Sequence, residues 1–132
     1  MRIRFLKNYF FLLLIVIFFR TGFLQAQTFP NKPITMIVPT APGGPVDLTT
    51  RVITKQLAIE IGQPIVVINR PGASQKIGVE SLINSPKDGY TIAAVSPASM
   101  TINPVLDKNV GYDPVNDVTH LMNAIEYQSV LV

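Results

Sequence analysis

The chain contains no cysteine and a single histidine, His120. Without cysteine, disulfides and thiolate metal sites are excluded. His120 lacks a neighbouring set of acidic residues at metal-ligand spacing, so we predict no metal centre and a structural role for the histidine. The chain also lacks a Ser–His–Asp arrangement and a carboxylate pair at a common strand end, and we therefore do not predict an enzyme.

Nucleotide-binding motifs are missing as well. The glycine pair Gly43-Gly44 is not followed by the Gly-Lys-Ser/Thr of a P-loop, and it does not belong to a Gly-x-Gly-x-x-Gly pattern. Both motifs cradle phosphates with backbone amides, so their absence leaves ATP and NAD without support. We predict no cofactor.

Charge is scarce, at 14% of residues, and four of the eleven basic residues are Arg2, Arg4, Lys7 and Arg20. The segment from 27 to 132 has seven basic and eight acidic residues, a formal net charge of −1. Nucleic-acid binding requires a clustered basic face, and this segment has none in its sequence. We therefore predict no nucleic-acid partner.

The basic N-terminus precedes an unbroken apolar run of 11 residues, Tyr9 to Phe19. A membrane-spanning helix needs about 20 apolar residues, so this run fits the core of a signal peptide instead. Leu24-Gln25-Ala26 is an imperfect cleavage site because Leu24 is large. We expect residues 1–26 to be removed after Ala26 and the protein to be periplasmic, with an uncleaved N-terminal anchor as the alternative.

Strand and helix patterns alternate along residues 27–132. The spacing of Val46, Ile53, Leu57 and Ile61 predicts one buried face of a helix from Pro45 to Ile61. The run 65–68 is typical of a strand buried on both faces. Alternation of this kind predicts an α/β fold, βαβαβ with a parallel sheet. The predicted strands are 34–38, 65–68 and 90–95, with weaker strand signals at 121–125 and 129–132. A second helix is predicted from Lys76 to Asn84, with Ile77, Leu82 and Ile83 inward.

Ligands of parallel sheets bind outside the carboxyl ends of the strands, which here are the loops 39–46, 69–75 and 96–101. In the first loop, Pro42-Gly43-Gly44 precedes a helix N-terminus, an arrangement that suits a small anion. The same glycines are also compatible with a simple flexible turn. Asp47 is explained most simply by the helix dipole. Ser96 and Ser99 are placed either to close a turn or to hold a carboxylate.

Several short motifs in a fixed order identify a resemblance. They are Phe29-Pro30-Asn31-Lys32-Pro33-Ile34, Val38-Pro39 with Pro42-Gly43-Gly44, Asp47 and Arg51, Gly62-Gln63-Pro64, Asn69-Arg70-Pro71-Gly72-Ala73, Asp88-Gly89-Tyr90-Thr91, Asn103-Pro104, and Tyr112-Asp113-Pro114 with Asp117. In this order and spacing, the chain resembles the extracytoplasmic solute receptors of tripartite tricarboxylate transporters, the Bug family. The resemblance implies a periplasmic-binding-protein-like fold (type II) of two α/β lobes. It also implies capture of a small organic carboxylate for membrane transporter subunits.

The resemblance further implies that two loops hold the ligand's carboxylate through backbone groups and ordered water. The ligand-binding residues it assigns are Pro42, Gly43, Gly44, Asp47, Ser96, Ser99 and Thr101. The chain departs from the family pattern at Ser74 and Gln75, where two glycines are common, and at Thr40, where a larger apolar residue is usual. These departures are expected to alter ligand choice.

Length is a further departure. Family members are much longer, so the resemblance makes residues 27–132 the N-terminal part of lobe one and the fold incomplete. We expect such a chain to bind carboxylates weakly or not at all. The alternative is a truncated, non-binding remnant of such a receptor.

Overall fold

The computed structural model describes residues 28–126. Three parallel strands form one sheet in the order β2-β1-β3: β1 (Ile34–Val38), β2 (Ile65–Asn69) and β3 (Thr91–Ala93). This confirms the predicted parallel α/β fold, and the strand at 34–38 lies in the middle of the sheet. The predicted signal peptide and the strand signal at 129–132 lie outside the described residues.

Helices connect the strands and lie against the sheet. They are α1 (Pro45–Ile61), α2 (Lys76–Ile83) and the short α3 (Asn103–Leu106). Proline suits the first position of α1 because its missing N–H has no intrahelical acceptor there. The helix ends where Gly62 adopts the left-handed conformation, with φ of +68°. A left-handed turn (Ala73–Gln75) precedes α2, and a π-helical turn (Ala98–Ile102) precedes α3.

The core is built around the central strand, and four of its five residues are buried: Ile34, Met36, Ile37 and Val38. On α2, Val79 is fully buried and packs with Val110 and Tyr112. The Tyr112 hydroxyl donates to the carbonyl of Ser99 at 2.5 Å, which satisfies its buried polar atom. Tyr112 is therefore a packing residue.

Close packing ties α2 to the end of β1. A Cβ atom added to Gly78 would lie 2.6 Å from the Cβ of Pro39 and 3.0 Å from the carbonyl oxygen of Arg70. No side chain fits at position 78 without moving one of these neighbours. The glycine therefore lets α2 lie directly on the start of the loop that follows β1.

The buried face of α1 differs from the one predicted. Its buried residues are the polar Asp47, Thr50 and Thr54, whereas the predicted apolar residues are only half-buried. Polar burial is tolerated here because the side chains have partners: the Thr54 hydroxyl, for example, donates to the carbonyl of Arg51. Apolar periodicity alone does not identify such a face.

The prediction that 65–68 is buried on both faces is wrong. β2 is an edge strand of the described sheet, and Val66 is 49% exposed because α1 covers only one side of the strand. Ile77 is likewise 48% exposed, so α2 turns Gly78 and Val79 toward the core instead. The segment 121–125 is not a strand, since no neighbouring strand pairs with it in the described part of the chain.

Within residues 28–126, no helix has the length and apolar character needed to cross a membrane.

Candidate functional site

The carboxyl ends of the three strands lie at one edge of the sheet, as a parallel arrangement requires. Val38 is in register with Asn69, and the amide of Arg70 donates to the carbonyl of Val38 at 2.8 Å. On the other side of β1, the amide of Ala94 donates to the carbonyl of Ile37 at 2.9 Å. The loops after β1, β2 and β3 therefore begin side by side, at the predicted ligand edge.

In the loop after β1, the two glycines have different roles. Gly43 has a φ of +82° and donates its N–H to Asp47 Oδ2 at 2.9 Å. Gly44 has a φ of −73°, and an added Cβ would meet only the carbonyl oxygen of Ala41, at 3.5 Å. Of the two glycines, only Gly43 has the positive φ that favours glycine, and a Cβ at position 44 meets no clash.

Asp47 is almost completely buried, with 2% of its surface exposed. Its carboxylate accepts hydrogen bonds from the Gly43 amide, from Arg51 Nε at 3.1 Å and from Asn69 Nδ2 at 2.9 Å. These hydrogen bonds lower the pKa of Asp47 to about 2. The bond from Arg51 has the largest effect, followed by those from Gly43 and Asn69. The carboxylate is therefore ionised and holds the glycine loop against β2.

Asn69 completes this network. Besides Asp47, its Nδ2 donates to the carbonyl of Thr40 at 3.0 Å, and its Oδ1 accepts from Arg51 Nη2 at 2.9 Å. One side chain at the end of β2 thus fixes both ends of the loop after β1. In the sequence, Asn69 stood out only as part of a family motif; the available signal was a polar residue directly after a predicted strand.

The loop after β1 can accept an anion in front of α1. Pro42 and Gly43 are exposed and Gly44 is half-buried. The first amides of a helix have no intrahelical acceptor, and the positive end of the helix dipole lies there. Behind the loop, Thr40 Oγ1 is buried and has no partner among residues 28–126.

The loop after β3 has one hydroxyl at its surface and one inside. Ser96 Oγ donates to Gln75 Oε1 at 2.8 Å, whereas Ser99 is fully buried and its Oγ donates to the Ser96 carbonyl at 3.0 Å. The Ser99 hydroxyl therefore closes a turn in this structure. Thr101 is exposed.

The loop after β2 lies between the loops that follow β1 and β3. Ala73, Ser74 and Gln75 all have positive φ, of 46°, 52° and 76°. The left-handed conformation is unfavourable for residues with a Cβ, by roughly 1–2 kcal/mol each. The turn is held from the β3 side, where Asn103 Nδ2 donates to the carbonyl of Ser74 at 2.6 Å and Ser96 donates to Gln75.

The predicted ligand residues therefore form two groups. Pro42, Gly43, Gly44 and Asp47 belong to the first loop, and Ser96, Ser99 and Thr101 belong to the third. The contacts that join these groups in the described range run through Asn69 and Gln75 of the intervening loop. Gln75 had been named as a departure expected to alter ligand choice, but neither contact was predicted, because both join residues distant in sequence.

Other candidates do not join the site. His120 Nε2 lies 2.8 Å from the carbonyl oxygen of Pro114 at an exposed position, in keeping with a structural role. Two grooves lie apart from the predicted residues. One, of about 410 Å³, runs along α1 and β2 beside Arg51, and the other, of about 540 Å³, lies between Ser74 and α3. Residues 28–126 contain no cluster of three or more acidic or histidine side chains that would hold a metal.

Comparison with known proteins identifies the family. The family described as "Tripartite tricarboxylate transporter family receptor" matches residues 49–132. Protein BugT of Bordetella pertussis is 36% identical over 110 residues, a match that covers 83% of this chain and 34% of BugT.

Solved structures agree with the fold. The periplasmic binding protein BugD is similar with a TM-score of 0.62 and 34% identity, over 67% of this chain and 29% of BugD. MatC of Rhodopseudomonas palustris, solved with bound malate, has a TM-score of 0.62 and 32% identity, over 67% of this chain and 30% of MatC. The chain thus spans about a third of the length of these relatives. It belongs to the receptor family of the tripartite tricarboxylate transporters.

Proposed function

We propose that this chain is the N-terminal part of lobe one of a periplasmic receptor that captures a small organic carboxylate and delivers it to membrane transporter subunits. The observation that carries the proposal is the Gly43-Gly44 loop. It lies at the carboxyl end of the central strand, opens α1 and is held in place by the buried carboxylate of Asp47.

The geometry favours an anion of small size. A carboxylate in front of α1 meets backbone donors and the positive end of the helix dipole. Gly44 leaves this approach open, since it presents no side chain and is half-buried at the loop surface. Asp47 contributes by fixing the loop, because its own oxygens already accept hydrogen bonds from Gly43, Arg51 and Asn69.

The family supports the ligand class. MatC was solved with malate, a dicarboxylate, and it shares 32% of the aligned residues with this chain. On this basis Pro42, Gly43 and Gly44 form one side of the ligand site, with Thr101 and the backbone around Ser96 and Ser99 on the other.

Export and transporter coupling complete the proposal. The basic start of the chain and its apolar run are typical of a signal peptide. The matching family is described as a receptor of tripartite tricarboxylate transporters, which supports delivery to transporter subunits.

A titration of the purified full chain with succinate and malate, followed by NMR of the backbone amides, tests the proposal. We expect shifts at Gly43, Gly44 and Thr101 with dissociation constants in the millimolar range. One wall of a cleft buries much less of a ligand than two walls, and each 1.4 kcal/mol lost weakens binding about tenfold.

The matched variants are Gly44→Val and Lys87→Val. Gly44→Val keeps an ordinary φ and meets only Ala41, so it should fold and lose the ligand response. Lys87 is exposed in the turn before β3, at the opposite edge of the sheet, and its substitution should leave binding unchanged. If Gly44→Val binds as the parent does, the loop is only a turn. If the parent shows no shifts, the chain is a non-binding remnant; micromolar affinity would show that one lobe suffices.

A further inference from the structure

The left-handed turn Ala73–Gln75 concentrates backbone strain at the ligand edge. Three consecutive residues with a Cβ have positive φ. Such conformations persist only where surrounding contacts hold them, and they occur preferentially at ligand and switch sites. This turn lies at the end of β2, between the two loops that form the proposed carboxylate site.

The side chain of Gln75 reaches the third loop. Ser96 Oγ donates its hydrogen bond to Gln75 Oε1 at 2.8 Å. A serine hydroxyl has only one proton, so this contact leaves Ser96 with none for a carboxylate ligand. Gln75 therefore determines which hydrogen-bond donors face a ligand at this edge.

The other end of the same carboxamide supplies donors. Since Oε1 faces Ser96, Nε2 presents two N–H groups elsewhere. Gln75 is half-buried, and its Nε2 donates to no group among residues 28–126. A donor pair that is open at the ligand edge is suited to an oxygen of a carboxylate.

We propose that Gln75 is a specificity-determining residue of the carboxylate site, an inference that rests on the function proposed above. Its carboxamide removes the Ser96 hydroxyl from ligand recognition and offers its own Nε2 donors instead. The same group also occupies space between the second and third loops. Short dicarboxylates are therefore favoured over long ones.

The variant Gln75→Gly tests this directly. Glycine adopts a φ of +76° without strain, so the variant should fold at least as well as the parent. Removal of the carboxamide frees Ser96 and opens space. With the full chain and NMR titrations of succinate and adipate, we expect the ratio of the two dissociation constants to shift about tenfold toward adipate, because the space vacated by the carboxamide admits the longer acid while the lost Nε2 donors weaken both acids alike. Gln75→Glu, which presents only acceptors and a negative charge at neutral pH, should bind neither acid.

Ala73→Gly is the matched control. It relieves a positive φ in the same turn but leaves the contact between Gln75 and Ser96 in place. Its two dissociation constants should keep the ratio of the parent chain. An unchanged ratio in Gln75→Gly, or an equal shift in Ala73→Gly, would overturn the role of the carboxamide while leaving the carboxylate site intact. A parent chain without any response to either acid would overturn the proposed function itself, and this inference with it.

Discussion

The loop after β1 and the loop after β2 both pass through the left-handed region of backbone conformation, but with different residues. The first places glycine there, at Gly43 with φ of +82°. The second places Ala73, Ser74 and Gln75 there. Glycine has no Cβ and accepts this conformation without strain, whereas the other three residues do not.

The two loops are also held differently. The first has a local anchor, Asp47, four residues along the chain from Gly43, and a distant one, Asn69, which donates to Asp47 and to the carbonyl of Thr40. The second is held by Ser96 and Asn103, more than 20 residues away in sequence. The loop with glycine at the positive φ thus combines local and distant contacts, while the side-chain contacts that hold the strained loop are distant ones.

The largest expected effect comes from removing the side chain that joins the first loop to β2. Asn69→Ala removes one of the three groups that donate to Asp47 and the side-chain donor to the carbonyl of Thr40, and we expect a loss of about 2 kcal/mol in the free energy of unfolding. Urea denaturation measures it. Asn84→Ala, at an exposed position after α2, is the control and should change stability by less than about 0.5 kcal/mol. Equal losses in both variants would contradict the anchoring role.

Acid should weaken the first loop more than the second. The pKa of Asp47 is lowered from 3.8 to about 2 by Arg51, Gly43 and Asn69, so folding favours the ionised carboxylate. This contribution is complete above about pH 5 and is lost as the pH falls through the unfolded pKa of 3.8 toward the folded pKa of about 2. Tryptophan is absent, so circular dichroism against pH is the measurement.

Asp47→Asn is the comparison for the acid transition. It removes the titrating group, so the variant should show a shallower loss of stability below pH 4. Asp88 and Asp113 also have lowered pKa values, and they account for the remaining dependence of stability on pH in both proteins. An identical slope in the variant would show that Asp47 is not a source of the acid sensitivity.

The smallest expected effect is a gain. Ser74→Gly removes the penalty of a positive φ but makes the unfolded chain more flexible, so we expect stability to rise by only about 0.5 kcal/mol. Thermal unfolding measures it. The control Ser81→Gly lies inside α2 and should lower stability by about the same amount. A loss of stability in Ser74→Gly would mean that the second loop is not strained.

Sequence patterns were reliable where neighbouring residues decide the outcome. The strand 34–38, the start of α1 at Pro45 and its end at Gly62 were predicted, because β-branched runs, a proline at the first helical position and a glycine stop act locally. The parallel pairing of the strands followed from short right-handed crossovers, and the central place of 34–38 from the family resemblance as well. The three loops at the ligand edge followed from the parallel pairing.

The sequence by itself thus determined the α/β class, the order of elements and which loops share an edge. Tertiary structure alone decided that α1 buries Asp47, that β2 stays half-exposed as an edge strand, and that Asn69 and Gln75 connect the loops. The reason is physical. Hydrogen bonds between residues distant in sequence depend on how the helices and strands pack. So does the burial of each face of a strand or helix by its neighbours. Neither can be predicted from a local pattern of residues.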